Sequence, residues 1–136
     1  MANNYYDIAY NDYQFLLANV NRGFYNQTLP QIQQIIEKLL KSIIVDFDIG
    51  DDSINILKSH RLDRLYDVVI KSLQIKSTVS VKDLAWVTNF YFDCRYPGDN
   101  FIIATQEQEE DALKILEDVF NVVNNIRAKG ISNNPL

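Results

Sequence analysis

The sequence predicts an all-α protein, an up-and-down bundle of four main helices plus one shorter helix. Three observations carry this. Five segments place apolar residues at three- and four-residue intervals, and almost nothing alternates as a half-buried strand does. The connections run to roughly five to ten residues, short enough to make sequential helices antiparallel neighbours. Ile, Leu, Val and Phe fill 46 of 136 positions, well above the roughly one-fifth below which chains tend to disorder. A chain of this length buries a core without disulfide or metal and reads as a single domain over residues 1–136.

The first helix spans about residues 5–22, with Ile8, Ala9, Leu16, Leu17 and Val20 on one side and Tyr6, Tyr10 and Tyr13 along its edge; Gly23 caps it. The second starts at Thr28, which forms a capping-box pattern with Gln31 and has Pro30 in its first turn. Leu29, Ile32, Ile35, Ile36, Leu39, Leu40, Ile43, Ile44 and Phe47 make a stripe so full that this helix should be central, flanked on both sides. A loop turning at Gly50, Asp51 and Asp52 leads to Ser59, the expected cap of a third helix carrying Leu62, Leu65, Val68, Val69 and Leu73. Ser80 and Asp83 open a fourth helix through Leu84, Val87, Tyr91 and Cys94, stopped by Pro97 and Gly98. Thr105 and Gln108 open the last, whose acids Glu107, Glu109, Glu110 and Asp111 suit the positive end of its dipole. The stripe Ala112, Ile115, Leu116, Val119, Phe120, Val123 and Ile126 carries it to Lys129; Gly130 closes it and a frayed tail follows.

The balance of 13 basic against 18 acidic residues, net −5, argues against an extended duplex-DNA surface, which rests on many phosphate contacts. It leaves room for a small anion site. No apolar stretch reads as a leader or a membrane span, so a soluble, cytoplasmic protein is expected. One Cys and one His supply no zinc site, and DFDIGDD lacks the later bidentate acid of a calcium loop. The four glycines are too dispersed to cradle phosphates. Neither a metal nor a cofactor is therefore expected. Tyr5, Tyr6, Tyr10 and Tyr13 lack interleaved cations and suit a bundle edge or subunit interface.

Two places carry chemistry. His60, in KSHRLDRL, either packs at a helix start or serves as a proton acceptor. The segment FDCRYPGDNF sets Arg95 at a helix end, with Tyr96, Asp99 and Asn100 on the turn beyond; a guanidinium beside such groups suits a phosphate or a base edge. Cys94, on the apolar stripe, reads as core although Arg95 adjoins it.

Taken in order, the tyrosine-rich first helix, the run Gln33, Gln34, Glu37, Lys38, Leu40 and Lys41, the SHRLDRL helix start and the CRYPGD segment resemble a HEPN domain, as does the glutamate-rich last helix. The resemblance spans nearly the whole chain. It implies a helical bundle that forms homodimers, often with a small nucleotidyltransferase as partner, and it adds Lys41 to the ligand-binding candidates Arg95, Tyr96, Asp99, Asn100 and His60. Many members are metal-independent ribonucleases that use an Arg followed a short way on by a His. Carried over, the Arg is Arg95, and the His position falls among Asn100, Phe101 and Ile102, none of which titrates as a base. The expectation is therefore a binding module for a nucleotide, RNA or the nucleotidyltransferase, with the catalytic pair degenerate. The alternative is the toxin-type ribonuclease of a two-component toxin–antitoxin system, with Arg95 and His60 as its catalytic residues.

Overall fold

The apolar stripes above close on one another in the computed structural model, which describes residues 2–50 and 53–132. Asp51, Asp52 and the tail from residue 133 lie outside the described residues. Five helices of twelve or more residues form the bundle: α1 (Tyr5–Leu17), α2 (Tyr25–Asp46), α4 (Leu62–Leu73), α5 (Val81–Asp93) and α6 (Gln106–Ser132). A single turn, α3 (Ser53–Ile56), interrupts the loop after α2 and drops Ile56 into the core. Among the described residues there is no strand, and no helix is long and apolar enough to cross a membrane.

Helix α2 is the axis. It touches α1, α4, α5 and α6, and its stripe from Leu29 to Ile44 is buried, with Phe47 half-buried beyond it. Tyr6 and Tyr13 of α1 act as the expected bundle edge, while Tyr10 is exposed. Tyr6 donates its hydroxyl to Asn124 at 2.8 Å and lies under Arg127 at 4.4 Å, while the Tyr13 ring meets Phe120 at 4.8 Å. Arg127 also pairs with Asp46 and Lys38 with Asp12, tying α6 and α1 to α2. The loop before α5 wraps the buried Tyr66, whose hydroxyl accepts from Ser77 and from the Thr78 and Val79 amides.

Two of the expected caps form. Ser80 accepts from the Asp83 amide, and Thr105 and Gln108 exchange reciprocal side-chain-to-backbone bonds at 3.2 and 3.0 Å. Four other local expectations are corrected, at Thr28 and Gly130 because a tertiary partner captures the side chain or the space, and at the end of α1 and at Ser59 because a local side-chain bond shifts the helix boundary. Helix α1 ends at Leu17 rather than near residue 22: the Asn19 amide binds the Phe15 carbonyl, and Asn21 takes a left-handed φ of 60°. Helix α2 starts at Tyr25, without a side-chain cap, because the Thr28 hydroxyl donates to Glu109 instead. Glu109 is accordingly buried, 1% exposed, while keeping its expected place in the acidic first turn of α6. Ser59 accepts from the Arg61 amide in a short turn, so α4 begins at Leu62, whose N–H goes to the Thr88 hydroxyl. Gly130 lies inside α6, where the Phe47 ring rests so close that a Cβ would come within 2.6 Å of it.

Candidate functional site

The site begins where α5 runs out. The amides of Arg95 and Tyr96 both return to the Phe92 carbonyl, and the Ile102 amide donates back to Asp93 at 2.9 Å, so the intervening segment folds onto the helix end. Gly98 makes this turn at φ 149°. One side chain from α2 then fastens the segment. The Asn26 amide donates to the carbonyls of Cys94 and Ile102 at 3.1 and 2.9 Å, and its oxygen accepts the Ala104 N–H at 2.8 Å. Pro30 lies inside α2 rather than in its first turn and can offer no amide to the Asn26 carbonyl one turn earlier, so that helical bond is missing at the clamp residue.

Arg95, exposed, lies over the Tyr91 ring at 4.9 Å, the i,i+4 placement expected on a helix. Tyr91 in turn stacks on His60, ring centres 4.6 Å apart and planes 15° from parallel. The guanidinium carbon and the imidazole centre are thus no farther apart than the sum of those two separations, about 9.5 Å. Behind His60 stands Glu37, whose carboxylate meets Nδ1 at 2.9 Å and also accepts from Lys41 at 2.9 Å and Gln33 at 3.1 Å. Gln33 reaches the His60 carbonyl as well, at 3.0 Å, so α2 holds both the backbone and the ring of this residue. The side chain of His60 is 48% exposed, so its ring borders solvent.

Burial alone would raise the Glu37 carboxyl, but the hydrogen bonds from Lys41, His60 and Gln33, with the charge of Lys41, outweigh it and hold the group below its ordinary 4.5. A carboxyl lowered in the folded state stabilises the fold at pH values above its unfolded pKa and loses that contribution as pH falls through the folded one. Wild type is therefore expected to lose more stability than Glu37→Gln between about pH 5 and about pH 3. Urea midpoints across that range check it; parallel curves for the two proteins would contradict it.

The sequence candidates thus divide. Arg95, His60 and Lys41 come together through Tyr91 and Glu37. Asp99 and Asn100 do not join them, and Tyr96 reaches them only through Phe92, whose ring lies 6.0 Å from that of Tyr96 and meets Tyr91 edge-on at 4.7 Å; Tyr96, Asp99 and Asn100, with Phe92, Pro97 and Phe101, line a cavity of about 440 Å³. Arg95 instead borders a cavity of about 450 Å³ between α1 and α2. Cys94 is core: burial, with the neighbouring Asp93, pushes its thiol up to about 11 against the opposing pull of Arg95. Tyr91, Asn26 and the positioning role of Glu37 are what the sequence reading missed. The Tyr91–Arg95 spacing was a usable signal for the first; the other two depend on contacts distant in sequence.

No curated protein and no solved structure matches the chain. The family model that does match covers residues 2–126, from the tyrosine helix through the Arg95 turn and most of α6. A match of that extent, over the bundle and the site alike, makes the chain a member of the HEPN domain family.

Proposed function

We propose that this HEPN domain is a binding module that takes the phosphate of a nucleotide or of an RNA on the Arg95–Tyr91–His60 stack. The observation that carries the reading is the state of Arg95. Among the described residues its guanidinium has a ring beneath it and no hydrogen bond or ion pair, in a chain of net charge −5. Its planar fork of donors is left for an anion that accepts two hydrogen bonds, such as phosphate. Lys41 is buried against Glu37 and acts on the site only through it. Asp99, Asn100 and Tyr96 offer polar edges to a sugar or base across the turn. Arg95→Ala is expected to weaken binding of AMP and of short RNA by about tenfold or more, the loss of one charge-assisted pair. Calorimetric titration in EDTA measures this, and unchanged affinity removes the site.

A second reading is favoured by the Glu37–His60 contact. With Nδ1 against the carboxylate, Nε2 is the nitrogen that faces a substrate, as in other carboxylate-oriented imidazoles. His60 would then accept the proton of a ribose 2′-hydroxyl and Arg95 would stabilise the phosphate, giving the metal-independent ribonuclease of a toxin–antitoxin pair. Mixed RNA incubated with the protein in chelator should then be cut, and cutting should vanish in both Arg95→Ala and His60→Ala. Intact RNA with wild type ends this reading. The exposed side chains of Phe92, Tyr96, Phe101 and Ile103, the last 82% exposed, support association with a second copy and, in this family, with a nucleotidyltransferase.

A further inference from the structure

The cavity on the far side of Arg95 differs in character from the stack. Its wall is formed by the end of α1 and the first turns of α2. Two aromatic rings stand free there: Phe15 is 62% exposed and Phe24 is 55% exposed. Between them Gln27, Gln31 and Gln34 occupy the i, i+4 and i+7 positions of one helical face, and none of the three side chains has a hydrogen-bond partner among the described residues. Arg95 is the only charged residue of the lining, which contains no acid even though the chain is acidic overall.

Free aromatic faces, unpaired amides and one cation make up the chemistry that recognises an unstacked nucleobase joined to a phosphate. The ring takes the base face, an amide offers both donor and acceptor to the base edge, and the guanidinium takes the backbone. A purely apolar protein contact would leave the three amides buried without partners, which is costly. We infer that the α1–α2 groove is a base-binding subsite for single-stranded RNA, adjoining the phosphate position at Arg95. The inference rests on the reading of Arg95 given above and extends the ligand from a mononucleotide to a strand of at least two nucleotides.

Fluorescence anisotropy with a labelled single-stranded adenine tetranucleotide, alongside calorimetry with AMP, tests it on the full chain. Phe24→Ala and Phe15→Ala are each expected to weaken tetranucleotide binding by roughly tenfold, as loss of one base–aromatic stack does. Arg95→Ala should weaken both ligands. Gln31→Ala, which removes only an unpaired amide, should also weaken the tetranucleotide and guards against a folding artefact at the Phe24 helix start. If Arg95→Ala weakens binding while the Phe and Gln31 variants bind the tetranucleotide as wild type does, the subsite is overturned and the Arg95 reading stands. If Arg95→Ala changes neither ligand, the phosphate reading fails and the subsite with it. If the Phe variants alter the mass measured by light scattering and leave RNA binding intact, the groove is a protein interface and the inference is overturned.

Discussion

Asn26→Ala lowers stability by about 2–3 kcal/mol, more than the usual effect of a half-buried polar truncation. Three hydrogen bonds converge on this amide, each worth about 1 kcal/mol net, and they hold the two ends of the segment that carries Arg95. Truncation leaves two carbonyls and one N–H to find water where α2 packs against the turn. Asn26→Asp is expected to be no milder, because a carboxylate keeps the acceptor for Ala104 but sets negative charge against the carbonyls of Cys94 and Ile102. Urea unfolding at neutral pH gives the magnitude. Hydrogen exchange gives the location: the Ala104 amide should lose protection in both variants while the centre of α2 keeps its own. A wild-type midpoint, or protection lost evenly along the chain, would show that the clamp is not local.

Glu109→Leu is expected to cost about 3 kcal/mol, the loss of a buried acceptor that leaves two donors unpaired. The carboxyl group accepts the Asn21 amide at 2.8 Å on one oxygen and the Thr28 hydroxyl on the other. It therefore pins the α1–α2 connection, where Asn21 holds its left-handed backbone, to the first turn of α6. Glu109→Gln should cost much less, under about 1.5 kcal/mol, since the amide oxygen still accepts from Asn21 and a hydroxyl can reverse its role toward an amide donor. The ratio of the two effects separates lost hydrogen bonding from lost packing. Equal destabilisation by Leu and Gln would argue for charge rather than pairing.

The contrast between what was legible and what was not follows from where each signal resides. The stripe from Leu29 to Ile44 is a property of one helix, and its fullness alone placed α2 at the centre. The Ser80 and Thr105 caps are local too, closing within three residues. Thr28 carries an equally good local signal that failed because its hydroxyl had a better use outside its own turn, on Glu109, and Ser59 failed because its hydroxyl takes the Arg61 amide in a short turn just before the helix. Gly130 was misread for the same reason as Thr28: a glycine near a helix end suggests a cap, and only the position of the Phe47 ring reveals a close approach. At the site, Arg95 and His60 were each visible as chemistry in search of a context. Tyr91 supplies that context from between them, and a ring that serves two neighbours leaves in a sequence only the ordinary mark of a half-buried tyrosine.

Asn26 and Glu37 lie eleven positions apart on α2. Eleven residues complete just over three full turns and rise roughly 16 Å, so both side chains leave the helix in nearly the same direction. One fastens the strand of chain that bears Arg95, the other orients His60. The spacing of the two halves is thus measured out by a rigid rod rather than by the loops that carry them. Inserting a single residue into α2 between Pro30 and Gln33 would swing one end through about 100° relative to the other. The apolar stripe, the clamp and the imidazole support could not then all find their partners, whereas a residue added to the loop before α4 would leave the rod and its calibration intact.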